Sequence, residues 1–515
     1  MTRMRHILVV FTVVCILAGV LRAAGAAGEP FGIRVVDSVS GRGVPLVELE
    51  TVNHIRFVTD SAGWIAFAEP GLMNSTVFFF VRSHGYAFGK DGFGFAGKAL
   101  KIRPGGSATL KIKRVNIAER LCRLTGGGIY RDSALLGKKA PLRRGLLNGR
   151  VFGQDSAQAA VYRGRAYWFW GDTQRPGYPL GHFQTAGATV ELPKSGRLDP
   201  TGGINYKYFT SASGFSRKMC PIADTPSTMV WIDGLAVVSD ASGTERLITH
   251  YSQMKSLSKR LGHGLAVWND KKAVFESAGK FALDEKWRTP TGHPILITEQ
   301  KRKWLVFVNP WPVVRAPARL AALGDSNKYE AFTCLKPGSR YAEGKAKVHR
   351  DASGKVVWGW KADTDPIAQT REKQMIAADI LKPAEARFQL CDATGAEVRL
   401  HRGSVRWNAY VKRWILIGCQ AGGGSSYLGE IWFAQADSPT GPWRRAVKIV
   451  THDKYSFYNP VHHAFLDSKE GRFVHFEGTY TSTFSKAPRT TPRYDYNQIL
   501  YRLDLNDPRL KPAGK

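Results

Sequence analysis

Three features of the 515-residue sequence predict an all-β protein, a five-bladed β-propeller preceded by a small antiparallel β-sandwich. Glycine (53 residues) and aromatic side chains (14 Trp, 18 Tyr and 26 Phe) are abundant, which favours short strands and tight turns over helical bundles. Residues 31–115 alternate short apolar runs with glycine-rich turns. From residue 150 onward, a unit made of a strand, a turn and an aromatic strand recurs five times.

The first residues have the composition of a secretory signal peptide. Basic residues precede an apolar run from Ile7 to Leu21, and a small-residue cleavage site follows at Ala24-Gly25-Ala26. The run is about 15 residues long, which is shorter than the ~20 residues that a membrane-spanning helix needs. We therefore assign residues 1–27 to a signal peptide and expect a secreted or periplasmic protein with no membrane span.

The charge of the chain predicts an anionic partner. Lysine and arginine (74) outnumber aspartate and glutamate (42), which gives a formal net charge of +32. Because an exported protein rarely meets intracellular nucleic acid, the predicted partner is an anionic polysaccharide and not nucleic acid. The protein is expected to be a monomer.

The cysteines beyond the signal peptide do not indicate a metal site. The five thiols, at Cys122, Cys220, Cys334, Cys391 and Cys419, show no C-x-x-C pair and no zinc-type spacing. A P-loop and a dinucleotide-binding G-x-G-x-x-G after a strand are also missing from the sequence. No metal ligand and no cofactor are predicted, although a structural divalent ion in the propeller channel stays open.

Residues 30–115 contain the predicted sandwich. The tracts VPLVEL (44–49) and TDSAGWIAF (59–67) and the step His84-Gly85-Tyr86 resemble the carboxypeptidase-regulatory-like sandwich found on many secreted bacterial enzymes. The resemblance implies a scaffold or a glycan-facing accessory domain, to which we assign no chemistry. Residues 116–147, rich in glycine and basic side chains, are predicted to be a basic linker.

Residues 148–507 contain the five predicted blades, and residues 508–515 form a tail. The units begin near residues 155, 225, 293, 404 and 461. Glycine-containing steps at Arg163-Gly164 and Asp233-Gly234 are the predicted turns of the first two units. The strand Ile499–Leu503 is predicted to close the ring by completing a blade.

Two motifs in this region point to a known superfamily. WFWGDT (168–173) ends a strand of the first unit, and SPTGPW (438–443) follows a strand of the fourth. Together they resemble the glycosidase-type five-bladed propellers, which include arabinanases and fructosidases. The resemblance implies a glycoside hydrolase with an Asp on the first inner strand as base or nucleophile, and Asp155 matches that position. The acid is expected from a later blade, where Glu430, Glu477 and Asp224 are all open.

The predicted site residues are those near the starts of the inner strands, because these starts converge on the channel of a propeller. Glycoside hydrolysis needs two carboxyl groups, about 5–5.5 Å apart for retention or about 6.5–9.5 Å apart for inversion. The predicted catalytic residues are Asp155, Glu430, Glu477, His462 and His293. Substrate binding is predicted for Asp172, Asp224, Arg315, Arg402, Arg406 and Tyr480.

Two other functions stay open at this point. A polysaccharide lyase would neutralise a uronate carboxylate with Arg315, Arg402 or Arg406, and His293, His462 or Tyr480 would remove the C5 proton in a β-elimination. A non-catalytic glycan-binding protein would use the same channel without chemistry. The resemblance favours hydrolysis.

Overall fold

A computed structural model describes residues 28–182, 185–193, 196, 198–222, 228–288 and 291–511. The predicted signal peptide and Asp224 lie outside these residues. Strands dominate the described chain, so the prediction of an all-β protein is confirmed. The helices are short: Arg131–Leu135, Leu320–Leu323 and Gln369–Ala377, with single 3-10 turns at Pro70–Leu72, Ser326–Lys328, Pro383–Glu385, Ala464–Leu466, Lys469–Gly471 and Pro508–Leu510. None of the helices in these ranges is long and apolar enough to cross a membrane.

The first eight strands form two four-stranded sheets that enclose one hydrophobic core. The strands are β1 (Phe31–Asp37), β2 (Glu48–Thr51), β3 (Arg56–Val58), β4 (Trp64–Phe67), β5 (Thr76–Arg82), β6 (Tyr86–Ala87), β7 (Gly97–Lys101) and β8 (Ser107–Arg114). The strand orders of the two sheets are β4-β1-β8-β6 and β3-β2-β5-β7. β1 and β8 run parallel, so the prediction of an entirely antiparallel arrangement is wrong at this pair. The reason is that the chain visits the second sheet between them and returns in the same direction.

Five further sheets of four or five strands, named I to V here, follow along the chain. Sheet I contains β11 (Gln158–Tyr162), β12 (Arg165–Trp170), β15 (Ala186–Glu191) and β16 (Lys207–Tyr208), and sheet II contains β17 (Met229–Ser239), β18 (Glu245–Met254), β19 (Arg260–Asn269) and β20 (Val274–Lys280). Sheet III contains β21 (Ile295–Glu299), β22 (Arg302–Val308), β23 (Pro312–Pro317), β24 (Glu330–Thr333) and β25 (Gly359–Ala362). A separate three-stranded sheet, the small sheet, combines β10 (Gly153–Gln154), β13 (Thr173–Arg175) and β14 (Tyr178–His182).

The last two sheets contain the C-terminal strands. Sheet IV contains β26 (Leu400–Asn408), β27 (Arg413–Gln420), β28 (Ile431–Ala436) and β29 (Ala446–Val450). Sheet V contains β30 (Ser456–His462), β31 (Phe473–Thr481), β32 (Asn497–Asp504) and, from much earlier in the chain, β9 (Glu119–Arg123). Each of the five predicted units therefore coincides with one of the five sheets.

Each sheet packs against the next through buried aromatic and aliphatic side chains, and sheet V packs against sheet I. In sequence order of the sheets, the pairs that share a buried cluster include Phe169 with Phe275, Ile248 with Phe307, Val306 with Leu416, Ile417 with Phe457, and Leu500 with Trp168. The first strands of neighbouring sheets also contact each other, at β11–β17 and at β26–β30. A separate buried cluster therefore spans each of these five pairs of sheets.

Strand β9 lies inside the segment that the sequence assigns to the basic linker. It pairs antiparallel with β32 and is buried along its whole length. Its two arginines are buried, and backbone carbonyls accept hydrogen bonds from both. Nε of Arg120 donates to the carbonyl of Pro45 at 3.0 Å, and Nη2 of Arg123 donates to the carbonyl of Gly127 at 2.6 Å. The predicted closing strand, β32, thus lies between β31 and β9.

The first two sheets dock on sheet V through neutral histidines. Nε2 of His84 lies 2.8 Å from the hydroxyl of Tyr480, and Nε2 of His452 lies 2.8 Å from the hydroxyl of Tyr501. The two imidazole rings are 5.5 Å apart. Burial lowers the pKa of His84 to about 3 and the pKa of His452 well below its ordinary value. Both rings are therefore uncharged at neutral pH.

We expect the substitution His452→Gln to make the free energy of unfolding less dependent on pH. In the unfolded chain a histidine binds a proton near pH 6.5, whereas His84 in the folded chain stays neutral down to about pH 3. The free energy of unfolding therefore keeps its full value above about pH 6.5. It decreases as the pH falls below about 6.5, by up to about 1.4 kcal/mol per pH unit for each such histidine. Urea unfolding of both proteins near pH 7 and near pH 5 measures the difference. Identical pH dependence would contradict the assignment.

Candidate functional site

Asp155 and Asp172 face each other at one end of sheet I. Asp155 precedes β11 and Asp172 follows β12. The backbone N–H of Asp155 donates to the carbonyl of Asp172 at 3.3 Å, and the backbone N–H of Asp172 donates to Oδ1 of Asp155 at 2.9 Å. Two residues that the sequence analysis gave different roles are therefore direct neighbours.

The turn at Arg163-Gly164 sets this juxtaposition. It joins β11 to β12 with Tyr162 opposite Arg165 and Gln158 opposite Phe169. Continuing the same register by three residues places position 155 opposite position 172. The proximity of the two carboxyl groups could therefore be read from the predicted turn, because a hairpin turn fixes which residues face each other.

Gly171 makes room for the carboxylate of Asp155. A Cβ atom at position 171 would lie 2.1 Å from Oδ1 of Asp155, a distance that no side chain tolerates. The glycine of the WFWGDT motif is therefore required by the close approach of the two aspartates. This close approach is a physical reason for glycine at the fourth position of WFWGDT.

Three side chains from other parts of the fold hold the pair. The hydroxyl of Tyr458, on β30, donates to Oδ2 of Asp155 at 2.9 Å. Nε1 of Trp231, on β17, donates to Oδ1 of Asp172 at 2.9 Å, and the hydroxyl of Tyr496 donates to Oδ2 of Asp172 at 3.3 Å. The carboxyl pair therefore depends on sheets I, II and V together.

The environment of the pair favours a shared proton. Burial, followed by the negative charge of Asp172, raises the pKa of Asp155 to about 7, against a smaller lowering by the hydrogen bond from Tyr458. Burial also raises the pKa of Asp172. Because two neighbouring carboxylates repel each other, the pair titrates as a unit and keeps one proton near neutral pH.

Strained backbone surrounds the pair. Ser156 and Asn459 have φ angles of 42° and 50°, in the left-handed region that non-glycine residues rarely occupy. Nδ2 of Asn459 donates to Oγ of Ser156 at 2.6 Å, and the pairing of β30 with β31 is interrupted between Tyr458 and Val461. Such residues cost of order 1–3 kcal/mol each and concentrate at functional sites. Here they accompany the irregularity that directs Tyr458 toward Asp155.

Asp233 connects four of the five sheets and was missed by the sequence analysis. Its Oδ1 accepts from Nε2 of Gln158 at 3.0 Å and from the backbone N–H of Gly292 at 2.6 Å, and its Oδ2 accepts from Nη1 of Arg402 at 3.2 Å. The sequence predicted a turn at Asp233-Gly234. The structure instead has an irregularity within the long strand β17, so this prediction is wrong.

His293 and Arg406 lie near one another along the first strands of the sheets, as predicted. Nη1 of Arg406 donates to the carbonyls of His293 at 3.1 Å and of Pro294 at 3.0 Å. Burial lowers the pKa of Arg406 to about 10 and the pKa of His293 well below its ordinary value. Both side chains line a cavity of about 350 Å³ together with Gln158 and Trp407. Of the predicted set, Asp155, Asp172, His293, Arg402 and Arg406 thus have positions suited to a channel site.

The two predicted acids, Glu430 and Glu477, do not accompany Asp155. Oε1 of Glu477 is 2.5 Å from Nε2 of His463 and accepts from Nε1 of Trp168 at 2.9 Å, and the side chain is fully buried. Glu430 precedes β28 and forms an ion pair of 2.8 Å with Lys448. As a correction, the carboxyl partner of Asp155 in the structure is Asp172, because both glutamates are buried in pairs of their own.

Arg315 belongs to the packing of sheet III. Its guanidinium lies 3.9 Å from the ring centre of Trp304 and 4.5 Å from that of Trp360, and it forms ion pairs of 2.6 Å with Glu299 and 2.7 Å with Glu330. The predicted role in substrate binding is therefore corrected, because stacking and ion pairs already occupy this arginine.

Tyr480 and His462 are also engaged elsewhere. Tyr480 is fully buried, where its hydroxyl contacts His84 and lies 3.0 Å from Oγ1 of Thr491. His462 is 1% exposed, and its Nε2 lies 2.9 Å from Oδ2 of Asp467. The predicted substrate contact of Tyr480 and the predicted catalytic role of His462 are corrected, since buried partners hold both side chains.

The described residues offer no set of metal ligands. Across them, no group of three or more His, Cys, Asp and Glu side chains could hold a metal ion. The five described cysteines are free thiols, and four of them are buried. Burial raises the pKa of Cys122 to about 12, so this thiol is neither a ready nucleophile nor a ready ligand.

No protein-family model and no curated protein matches the chain. Among solved structures it is similar to an exo-β-1,3-galactanase from Phanerochaete chrysosporium (11% identity, TM-score 0.34, 75% of this chain and 65% of that chain). It is also similar to the GH43_1 enzyme from Xanthomonas citri complexed with xylotriose (11%, 0.33, 70% and 88%) and to an exo-1,5-α-L-arabinanase from a bovine ruminal metagenomic library (10%, 0.34, 69% and 94%). Because these identities and TM-scores are low, the reaction is inferred from the site geometry.

We expect the substitution Asp172→Asn to lower the pKa of Asp155 from about 7 toward the ordinary carboxyl range. Removing the neighbouring negative charge makes ionisation of Asp155 easier, by about one unit or more. A titration of ¹³C-labelled aspartate side chains by NMR measures the shift, with Asp155→Asn identifying the resonance. Asp270→Asn is the matched control and should leave that resonance unchanged, because Asp270 lies between β19 and β20 of sheet II and contacts the turn at Arg163. An unchanged pKa in the Asp172→Asn protein would show that the two carboxyl groups do not interact.

Proposed function

We propose that the protein is an exported, monomeric glycoside hydrolase that acts on an anionic polysaccharide with Asp155 and Asp172 as its catalytic carboxyl pair. In this proposal sheets I to V form a closed five-bladed propeller, and the first two sheets form a sandwich that serves as a scaffold. The observation that carries the proposal is the pair itself. Two adjacent carboxyl groups, one with its pKa raised to about 7, provide both an acid and an ionised carboxylate at neutral pH.

The unequal environments suggest how the roles divide. Asp155 has the pKa that is raised to about 7, so we assign it the proton and the role of general acid. Asp172, which accepts hydrogen bonds from Trp231 and Tyr496, is the ionised partner. The family resemblance implied the base or nucleophile role for Asp155, and the raised pKa is the reason for assigning it the acid role instead.

The spacing supports a retaining mechanism. The hydroxyl of Tyr496 lies 3.3 Å from Oδ2 of Asp172, and a hydrogen bond with the same hydroxyl lowers the pKa of Asp155. Because one hydroxyl contacts both carboxyl groups, an oxygen of Asp155 and an oxygen of Asp172 lie within about 6 Å of each other. Retaining enzymes have carboxyl groups about 5–5.5 Å apart, whereas inverting enzymes leave about 6.5–9.5 Å for a water molecule.

The proposed reaction has two steps. Asp155 donates its proton to the glycosidic oxygen while the carboxylate of Asp172 attacks the anomeric carbon, so that the leaving sugar departs with the proton and a glycosyl ester forms on Asp172. Asp155, now ionised, removes a proton from water, and the water oxygen attacks the anomeric carbon and releases Asp172. Arg402, whose side chain is one third exposed beside Asp233, is placed to bind an anionic group of the sugar.

Substitution of either aspartate by Asn is expected to reduce hydrolysis by at least about a thousandfold, because each removes a group that acts in the transition state. The assay screens anionic and neutral polysaccharides and reads reducing ends together with the ultraviolet absorbance of an unsaturated uronate. Glu276→Gln is the matched control, since Glu276 is an exposed carboxylate on β20 that pairs with Lys272. Its activity should stay within about twofold of the wild-type value.

The same screen separates the other two functions. Reducing ends that appear with ultraviolet absorbance and survive both substitutions would replace hydrolysis by β-elimination. Retained binding with no product from the unsubstituted protein would leave a glycan-binding protein.

For the role assignment, Asp155→Asn should keep measurable activity on aryl glycosides, whose leaving group needs no proton, and Asp172→Asn should not.

The activity is expected to decrease as the pH rises through about 7, because Asp155 then loses the proton that the leaving group requires. Tyr458→Phe removes a hydrogen bond that lowers the pKa of Asp155, so this alkaline limb should move to higher pH. Profiles of kcat/KM against pH for the two proteins measure the shift. A limb that stays in place, or moves to lower pH, would contradict the acid role of Asp155.

A further inference from the structure

A second pocket opens beside the small sheet. Its volume is about 320 Å³, and it is lined by Arg150, Arg175, Pro176, Gly177, Ser213 and Phe215. No acidic side chain is among these lining residues, so two positive charges face an open space of the size of a small-molecule site. None of the residues assigned to catalysis lines this pocket.

The two arginines are free to bind a ligand. Both are exposed, and within the described chain neither forms an ion pair with a carboxylate. By contrast, two arginines of the neighbouring sheet I, Arg163 and Arg165, each pair with an Asp or Glu. The guanidinium of Arg175 lies 5.8 Å from the ring centre of Phe215, an arrangement that orients it while leaving its N–H groups available.

The backbone holds Arg150 in a costly conformation. Its φ angle is 50°, and the preceding Gly149 has a φ angle of 59°. A Cβ atom at position 149 would lie 2.9 Å from the ring of Tyr208, so only glycine fits before the arginine. Left-handed backbone at a non-glycine residue is retained where surrounding structure requires it, often at ligand sites.

Strand β13 of the small sheet joins the pocket to the carboxyl pair. Arg175 ends β13, the strand that begins at Thr173 directly after Asp172. Gly153 of β10 pairs with Gln174 of β13, and Asp155 follows β10. At about 3.3 Å per residue, three residues of strand place the Cα atoms of Asp172 and Arg175 at most about 10 Å apart. A chain of sugars lying over the carboxyl pair can therefore reach the pocket.

We infer that the pocket between Arg150 and Arg175 is a subsite for an anionic sugar residue of the substrate, next to the one whose bond is cleaved. The inference rests on the proposed function and adds to it the chemical feature that selects the substrate. Guanidinium groups bind carboxylate and sulfate through paired N–H donors, and Phe215 adds an apolar surface for the sugar ring. The shared ligand chemistry is a carboxylate or sulfate group on a sugar.

The test measures binding in the Asp155→Asn background, so that the polymer is not degraded. The probes are polygalacturonate for a carboxylate, dextran sulfate for a sulfate, and arabinan as a neutral polymer, each titrated by calorimetry. The double substitution Arg150→Ala/Arg175→Ala should raise the Kd for one anionic probe by about tenfold or more, since charged hydrogen bonds are lost. The control Lys111→Ala/Lys113→Ala removes two exposed charges from β8 and should change it less than about twofold.

Three results would overturn the inference: an unchanged Kd, an equal loss in the lysine control, or no binding of either anionic probe with both arginines intact. The failure of the proposed function is distinguishable from these. A pocket-dependent Kd for a protein with no hydrolytic activity would keep the subsite and reject the hydrolase. Hydrolysis with a KM that does not depend on the arginines would keep the hydrolase and reject the subsite.

Discussion

The pairing of β9 with β32 is the contact on which the rest of the structure depends. It joins the chain that enters the five-sheet region to the chain that leaves it, and it places Leu121 and Cys122 against the core between sheets V and I. Sheet V supplies Tyr458 to the carboxyl pair, and the segment before β32 supplies Tyr496. Without this pairing, two of the three side chains that hold the aspartates would lose their positions relative to sheet I.

Removal of water explains two distant features in the same way. Where the first two sheets dock on sheet V, burial disfavours charge on His84 and His452, so they act as neutral hydrogen-bonding groups. At the carboxyl pair, burial disfavours the charge on Asp155 and so favours its protonated form. The histidines therefore pack without a counter-charge, and Asp155 keeps its proton to a higher pH than an ordinary aspartate does. In each case the fold has removed the water that would solvate the group, and this desolvation costs free energy.

Much of the fold follows from sequence patterns, because local turns and alternating strands carry most of the information. The five units and the turn at Arg163-Gly164 match the sheets that form. The strand β9 could not be recognised, since its arginines suggest a solvated segment and its partner lies more than 370 residues away, as the Arg502–Glu119 contact shows with a separation of 383. Pairing at such a distance depends on the complete set of sheets and not on any local pattern.

The candidate site was predictable to a different degree. Asp155 was identified from the resemblance, and its partner follows from the hairpin register, which places 155 opposite 172. The two glutamates are candidates because the resemblance implies an acid from a later blade, but their burial depends on partners, His463 and Lys448, that only the assembled fold brings to them. Side-chain partners across sheets are set by packing, which a single sequence does not display.

The charge of the chain bears directly on how such a pair could meet a polyanion. A carboxyl pair that holds one proton still carries about one negative charge, which repels an anionic sugar. Arg402 lies beside Asp233 in the proposed channel, and Arg150 and Arg175 line the pocket, with the Cα atom of Arg175 at most about 10 Å from that of Asp172. Positive groups at these distances attract the substrate without lying against the carboxyl pair, where they would lower the pKa of Asp155 and remove its proton. Under the proposed function, this separation of the arginines from the aspartates lets the site bind an anion and keep an acid.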